Sequence, residues 1–456
     1  MSTSTSRREF LARASALSVA GAAAPWALNL AALGEAAAAT ATDYKALVCV
    51  FLNGGNDYAN TLPPYDTSNW NLYASLRPTL ATARDELAAT LLKPSSALPG
   101  GMQYALAPGL APLLPVFDSS RLAVLLNVGP LIQPTSKTQY SAKSVPLPPK
   151  LFSHNDQQSV WQSSSPEGST SGWGGRIGDL FAAGNGNATF TCVSVAGNAV
   201  YLAGKTAVQY QVSSSGSVAF AGLKSPLFGS SACTQALRTL LTTPRTHLLE
   251  NELVRVTQRS IDADAQLTAA LAATPPLNTQ FPISTLSAQL QMVAKMIAAR
   301  DPLGARRQVF FVQLGGFDNH DDLVTDHPDL MVLVGGAMAA FDAAMVELGV
   351  ADKVTAFTAS DFGRTLTSNG NGADHGWGGH HLVMGGAVKG RAFYGTPPQL
   401  GNNGPDDVGQ GRLLPSTSVD QYGATLGRWF GVSDTDLSLV MPNLDHYSLR
   451  NLGFMA

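Results

Sequence analysis

Four short stretches concentrate the side chains able to do chemistry, and three of them directly follow an apolar run. Asn53-Gly54-Gly55-Asn56-Asp57 follows residues 46–52, Gly315-Gly316-Phe317-Asp318-Asn319-His320 follows 309–314, and Ser360-Asp361-Phe362-Gly363-Arg364-Thr365 follows 354–359. The fourth is Asp374-His375-Gly376-Trp377-Gly378-Gly379-His380-His381. Five of the eight histidines fall between His320 and His381, so imidazoles gather where the carboxylates do. Carboxylate oxygens and neutral imidazole nitrogens are the ordinary ligands of a divalent cation, and this mixture favours zinc or manganese over calcium. Asp57, Asp318, His320, Asp361, Asp374 and His375 are the candidate ligands. Two such ions side by side could hold an in-line displacement, with Arg364 binding a phosphate or sulfate oxygen in fork geometry. The plainer alternative is that strand-end aspartates cap helices and glycine-flanked histidines pack a loop. Convergence of so many candidates on strand ends favours the metal.

A fifth stretch, Leu151-Phe152-Ser153-His154-Asn155-Asp156, precedes a helix running toward Trp161. Ser153 could sit at the amino end of that helix, where backbone N–H groups stabilise an anion, and so act as a nucleophile. Serine is equally at home there as an N-cap. His154 could be a further metal ligand or a general acid. His247 and His446 lack converging polar neighbours in sequence, and His327, beside Pro328, is set aside.

The elements that must position these residues read as an α/β fold. Apolar runs at 46–52, 122–128, 190–195, 309–314, 354–359 and 382–384 have the character of buried strands. They alternate with segments of helical periodicity at 233–271, 284–299 and 330–348, with Pro275, Pro276 and Pro302 as stops. This alternation predicts a mostly parallel central sheet flanked by helices on both faces. In such a sheet ligands bind outside the carboxyl ends of the strands, where the polar stretches fall. Residues 163–175 and 401–410, rich in Gly, Ser, Asn and Pro, read as surface loops. No composition break divides the mature chain, so 42–456 is expected to be a single α/β domain with loop insertions.

Composition narrows the function. With 456 residues, 45% of them hydrophobic, the chain can bury a large core. Charged residues make up 13%, the net charge is -3 and no basic run follows the amino terminus, which argues against nucleic acid as a partner. The three cysteines lack metal-ligand spacing; Cys49 and Cys192 lie in apolar runs and read as buried thiols, with no disulfide. Ser6-Arg7-Arg8-Glu9-Phe10-Leu11 resembles the twin-arginine export motif. An Ala-rich stretch, 14–33, and small residues at Ala37, Ala39 and Ala41 then complete a cleavable leader over 1–41. A retained anchor is the rival, although Pro25 and Asn29 make it a poor one. The expected location is periplasmic or secreted, with the twin-arginine translocase as a partner during export. No other segment reads as long and apolar enough to span a bilayer, so no stable membrane span is expected after cleavage.

Taken in order, the motifs Gly-Gly-Asn-Asp, Gly-Gly-Phe-Asp-Asn-His, Ser-Asp-Phe-Gly-Arg-Thr and Asp-His-Gly-Trp-Gly-Gly-His resemble the exported family called domain of unknown function 1501. The resemblance covers nearly the whole mature chain. That family is placed in the alkaline-phosphatase-like superfamily, with sulfatases and cofactor-independent phosphoglycerate mutases. The resemblance implies an alkaline-phosphatase-like fold with two metals at strand ends around a Ser, Thr or formylglycine nucleophile. By the same resemblance Asp57 or Asn53 takes the place of the carboxylate after the first strand. Asp318 and His320 look like paired ligands, at closer spacing than is usual there. Asp361 matches the aspartate of an Asp-His pair whose histidine position holds Phe362. His375 is similar to an isolated late histidine, with Asp374, His380 and His381 as further candidates. What this implies is a metal-dependent hydrolase of phosphate or sulfate esters, acting on a small-molecule or polymer substrate. The alternative is a non-catalytic, metal-containing binding or assembly protein with the same fold.

Overall fold

The computed structural model of the protein describes residues 43–218 and 220–456. The leader expected over 1–41 lies outside the described residues. Strands β1 (Lys45–Leu52), β2 (Leu122–Gly129), β3 (Cys192–Ser194), β4 (Tyr210–Ser213), β5 (Gly216–Ser217), β6 (Arg307–Leu314) and β7 (Val354–Ser360) come first along the chain. β8 (Arg364–Ser368), β9 (Ala373–His375), β10 (Gly379–Met384), β11 (Ala392–Tyr394) and β12 (Thr417–Ser418) follow. β8 and β9 form a separate hairpin; the others make one sheet in the order β11-β2-β10-β7-β1-β6-β3-β4-β5, with β12 also against β2. Pairing is parallel except where β10 meets β2 and β7 and where β5 meets β4.

β1, β6 and β7 are buried over nearly their whole length, as expected of central strands covered on both faces. Leu52 pairs with both Leu314 and Ser360, so the loops after these three strands leave the sheet at one level. β10 runs the other way and enters the sheet at that same rim.

The principal helices are α1 (His154–Ser163), α2 (Trp173–Phe181), α3 (Ser231–Thr242), α4 (Leu248–Ala273), α5 (Thr285–Ala298), α6 (Leu323–Glu347) and α7 (Val419–Phe430). Side-chain alternation along β1 divides the core. Val48, Val50 and Leu52 pack with Leu290 and Val293 of α5 and with Met338 and Phe341 of α6. Leu47, Cys49 and Phe51 face Trp173 and Ile177 of α2 and Tyr422 and Leu426 of α7. Ser284 caps α5 through the Ser287 amide, and Ser418 with Gln421 closes a capping box on α7.

Several sequence expectations change. The periodic stretch 233–271 is two helices, because Pro244 disfavours a helical conformation at Thr243 and ends α3 there. Residues 163–175 are not a continuous surface loop: α2 begins at Trp173, whose ring is 1% exposed and packs on Tyr201 and Phe357. The strand expected over 190–195 is confined to β3. α6 is, contrary to expectation, long and apolar enough to cross a membrane by length and composition, yet Met331, Val334, Met338 and Phe341 place one side of it in the core. Cys49 and Cys192 are buried free thiols.

Candidate metal centre

The loops after β1, β6 and β7 are locked together before any ligand is considered. Gly54 has φ +117° and lies so close to the loop after β6 that a Cβ there would collide with the backbone nitrogen of Asp318. Arg364, at the start of β8, is fully buried and spans the gap. Its Nη1 donates to Gly54 O at 2.8 Å and to Asp318 Oδ1 at 3.0 Å, and its Nε donates to Ala373 O at 2.8 Å. One guanidinium thus fixes three loops and one face of Asp318.

Four side chains meet at this rim. His154 Nε2 lies 3.0 Å from His375 Nε2, and His320 Nε2 lies 2.8 Å from that same nitrogen. Asp318 Oδ1 is 3.4 Å from His154 Nε2, 3.2 Å from His320 Nε2 and 3.4 Å from His375 Nε2. The other nitrogen of each ring is anchored: His154 Nδ1 to Asp361 Oδ2 at 2.8 Å, His320 Nδ1 to Asp374 Oδ1 at 3.3 Å, and His375 Nδ1 to Phe152 O at 2.7 Å. A carbonyl or carboxylate can only accept, so each Nδ1 carries a proton, and in its neutral form each ring turns an Nε2 lone pair toward the others. Three lone pairs and a carboxylate oxygen in one small space repel unless a positive centre, a proton or a metal ion, stands among them.

The spacing is that of ligands. Donor atoms held about 2.0–2.1 Å from one tetrahedral ion sit about 3.3 Å from each other. His154, Asp318 and His375 close within 4.8 Å of one another as a possible metal site, and His320 approaches the Asp318–His375 pair. The outer hydrogen bonds from Asp361, Asp374 and Phe152 are the kind that orient metal-binding imidazoles. On donor type, spacing and outer support, the residues fit a divalent cation.

Electrostatics agree with an anionic rim. The Asp361 hydrogen bond raises the His154 imidazole above its ordinary range despite burial. Burial lowers His375, with His154 and Arg364 adding to the effect against the Phe152 carbonyl. Burial works to raise Asp318, but the contact with Arg364 outweighs it and leaves the carboxyl below its usual value. Asp374 is likewise lowered: hydrogen bonds from Asn369 and His320 overcome burial. Asp318 and Asp374 are therefore ionised at neutral pH.

Not every residue singled out in the sequence joins the cluster. Asp57 is fully buried, caps the short helix Tyr58–Thr61 and spends both oxygens on Arg77. It is part of a sealed ion pair, with no oxygen left for a metal. Asn53 is bound instead to Gln158 and Gln313. Asp361 and Asp374 orient imidazoles rather than projecting as ligands into the cluster. Arg364 gives Nε and Nη1 to main-chain carbonyls and Asp318, while its buried Nη2 makes no hydrogen bond among the described residues. Ser153 directs its hydroxyl at Asp156 Oδ2, 3.0 Å away, and among the described residues it makes no hydrogen bond to the cluster. His380 and His381 are buried core residues, each pushed by burial to about 3.

Other participants left little trace in sequence. The Phe152 carbonyl is aimed by a left-handed backbone, φ +72°, at a residue with a large side chain. Phe362, directly after Asp361, packs its ring 4.8 Å from both His154 and His375. The half-buried Arg412 donates from Nε to His375 O at 2.8 Å and lies 4.8 Å from the Phe152 ring.

A family model described as protein of unknown function (DUF1501) matches residues 44–441. No curated protein matches the chain. Among solved structures, the chain is similar to Ps i-CgsB in complex with k-i-k-neocarrahexaose, at 8% identity and a TM-score of 0.36, over 87% of this chain and 74% of that one. It is similar to the PsFucS1 sulfatase from Pseudoalteromonas sp. at 11% identity and 0.34, over 86% and 68%. A mutant of the alkaline phosphatase PafA matches at 10% identity and 0.27, over 71% and 64%. Likeness at this level carries nothing about activity.

Proposed function

We propose a function on one premise: the chain belongs to the DUF1501 family, whose function is unknown, so its activity has to be read from the site. It is a metal-dependent hydrolase of phosphate or sulfate esters, exported by the twin-arginine route to the periplasm or beyond. The observation that carries this reading is the convergence of three Nε2 atoms and the Asp318 carboxylate, each imidazole fixed from behind.

His154, Asp318 and His375, with His320 beside them, would hold the ion, and the nitrogen-rich set suits zinc or manganese. Bound there, the ion supplies a Lewis-acid centre for charge developing on ester oxygens. Asp361, Asp374 and the Phe152 carbonyl keep the imidazoles aimed, and Arg364 keeps Asp318 ionised and in place. Arg412, only half-buried beside His375, is a guanidinium placed to meet an anionic ester. Ser153 is the proposed nucleophile. Its proton is already directed at Asp156, which accepts it as Oγ attacks phosphorus or sulfur, and the ester oxygen leaves and takes a proton from solvent. Water then attacks the serine ester, its proton passing to Oγ as phosphate or sulfate is released, and Asp156 returns its proton to solvent.

A second reading, a metal-containing binding or assembly protein without turnover, draws support from two observations. Arg364 is fully buried, and the Ser153 hydroxyl is engaged within its own helical turn. Metal analysis of the purified protein, with hydrolysis of nitrophenyl phosphate and nitrophenyl sulfate compared against His375→Ala, separates the two. The hydrolase reading expects stoichiometric metal and turnover of one ester, both lost in the variant. Metal without turnover above the variant's background leaves the binding reading, and absence of metal removes both.

A further inference from the structure

One helical turn beyond His154, α1 forms the wall of a second, metal-free feature. A cleft of about 240 Å³ lies between α1 and the segment after β3, and five carboxamides line it: Asn155, Gln158, Gln162, Asn198 and Gln313. Its rim carries one exposed charge, Glu167, and no lysine or arginine lines it. Phe311, its aromatic neighbour, is 1% exposed and offers little ring face.

The amides are organised rather than scattered. Gln158 Nε2 donates to Asn53 Oδ1 at 3.1 Å, and Asn53 Nδ2 donates to Gln313 Oε1 at 3.0 Å, so a relay joins α1 to the ends of β1 and β6. Gln162 Oε1 accepts from the Tyr201 amide at 3.0 Å, which fixes the way that side chain points. His154 and Gln158 are four residues apart on one helix, a separation of about 6 Å along the axis. A group entering the cleft would therefore be covalently within reach of an ester held at His154 and Asp318.

We infer that this cleft receives the alcohol part of the ester, and that this part is a single sugar-like polyol ring. The inference rests on the hydrolase reading given above. A carboxamide offers an acceptor and two donor hydrogens without charge, the complement of a hydroxyl that both gives and takes. The polar walls disfavour an aryl or acyl chain, which would leave amides buried without partners. The lone carboxylate at the rim, with no cation near it in the lining, disfavours a polyanionic leaving group. The volume lies below the roughly 300 Å³ at which pockets for drug-sized ligands begin, and suits one ring rather than a chain.

The test compares esters of one acid on two alcohols, glucose phosphate with nitrophenyl phosphate and glucose sulfate with nitrophenyl sulfate, using the full metal-loaded protein. The expected result is a kcat/KM preference for the glucose ester, narrowed about tenfold by Gln158→Leu and also by Asn155→Leu, whose exposed position spares the fold. Turnover of nitrophenyl esters with no preference for glucose, unchanged by either variant, overturns the inference and leaves the hydrolase reading intact. If neither alcohol's esters are hydrolysed, the hydrolase reading fails, and saturation-transfer NMR with glucose decides the cleft separately. A glucose signal that Gln158→Leu abolishes supports a polyol site; no signal overturns it.

Discussion

Asp57 and Asp318 begin alike and end differently. Each lies in a glycine-rich loop after a parallel central strand, and the two loops touch through Gly54. Asp57 meets Arg77 at full burial, and the pair is closed: burial alone would raise its carboxyl, but the guanidinium overrides it and holds it below the usual range. Asp318 meets Arg364 with one oxygen, stays half exposed and faces three imidazoles. A strand-end aspartate becomes structural when a buried cation answers its whole charge. It becomes available when the answering cation is shared with main-chain carbonyls and leaves charge to spare.

The largest expected effect falls on the closed pair. Asp57→Asn strands Arg77 in the interior and should cost about 3–5 kcal/mol in urea unfolding, with part recovered by Arg77→Met on the same background. A cost under about 1 kcal/mol would show the pair to be less sealed than its burial indicates.

Next comes the open cluster. Zinc at a hundredfold excess over its Kd should add about 2.7 kcal/mol to wild type, and a chelator should remove it. His375→Ala should melt identically with and without chelator. Zinc that stabilises the variant as much as wild type would place the ion elsewhere.

A smaller effect separates the two aspartates most sharply. Asp361→Asn, which loosens His154, should weaken zinc binding by about 10–100-fold in a calorimetric titration, whereas Asp57→Asn should leave it within about threefold. Equal losses in the two would erase the contrast.

The smallest is a pH slope. Asp57 has a folded-state pKa below its unfolded value, so the pair's contribution is complete above the unfolded value, near 3.9, and is lost as pH falls through the folded one. One linked proton limits the slope to about 1.4 kcal/mol per pH unit. Asp57→Asn should lack this slope in acid unfolding, and an unchanged slope would assign it to other carboxylates.

The central strands and the polar loops at their carboxyl ends were legible because a parallel strand reads as an unbroken apolar run, and the ligands of an open sheet follow such runs. Asp318 and His320 came with that logic, and His375 stood out through the histidine-rich stretch that it opens. The fate of Asp57 did not, since Arg77 stands in no motif and nothing in sequence says which cation a carboxylate will meet. The bracing role of Arg364 was hidden for a similar reason: most of its partners are carbonyls of Gly54, Phe317 and Ala373, which every residue type possesses. The Phe152 carbonyl behind His375 is of the same kind, set by a backbone angle rather than a side chain. The break between α3 and α4 was in plain view at Pro244; the periodicity across it masked the stop.

Because β10 enters the sheet where β7 leaves it, residues 361–378 form a stirrup with both feet on one rim. Asp361, Arg364, Asp374 and His375 all hang from it, so their relative positions are set when two neighbouring strands find their register. Its tip at Asn369–Gly370–Asn371 is exposed, and chain inserted there lengthens the stirrup without moving its feet. Asn369 beside the insertion point is tied down all the same, because its Nδ2 donates to His320 O and to Asp374 Oδ1 at 3.0 Å and so links the tip to the residues nearer the rim.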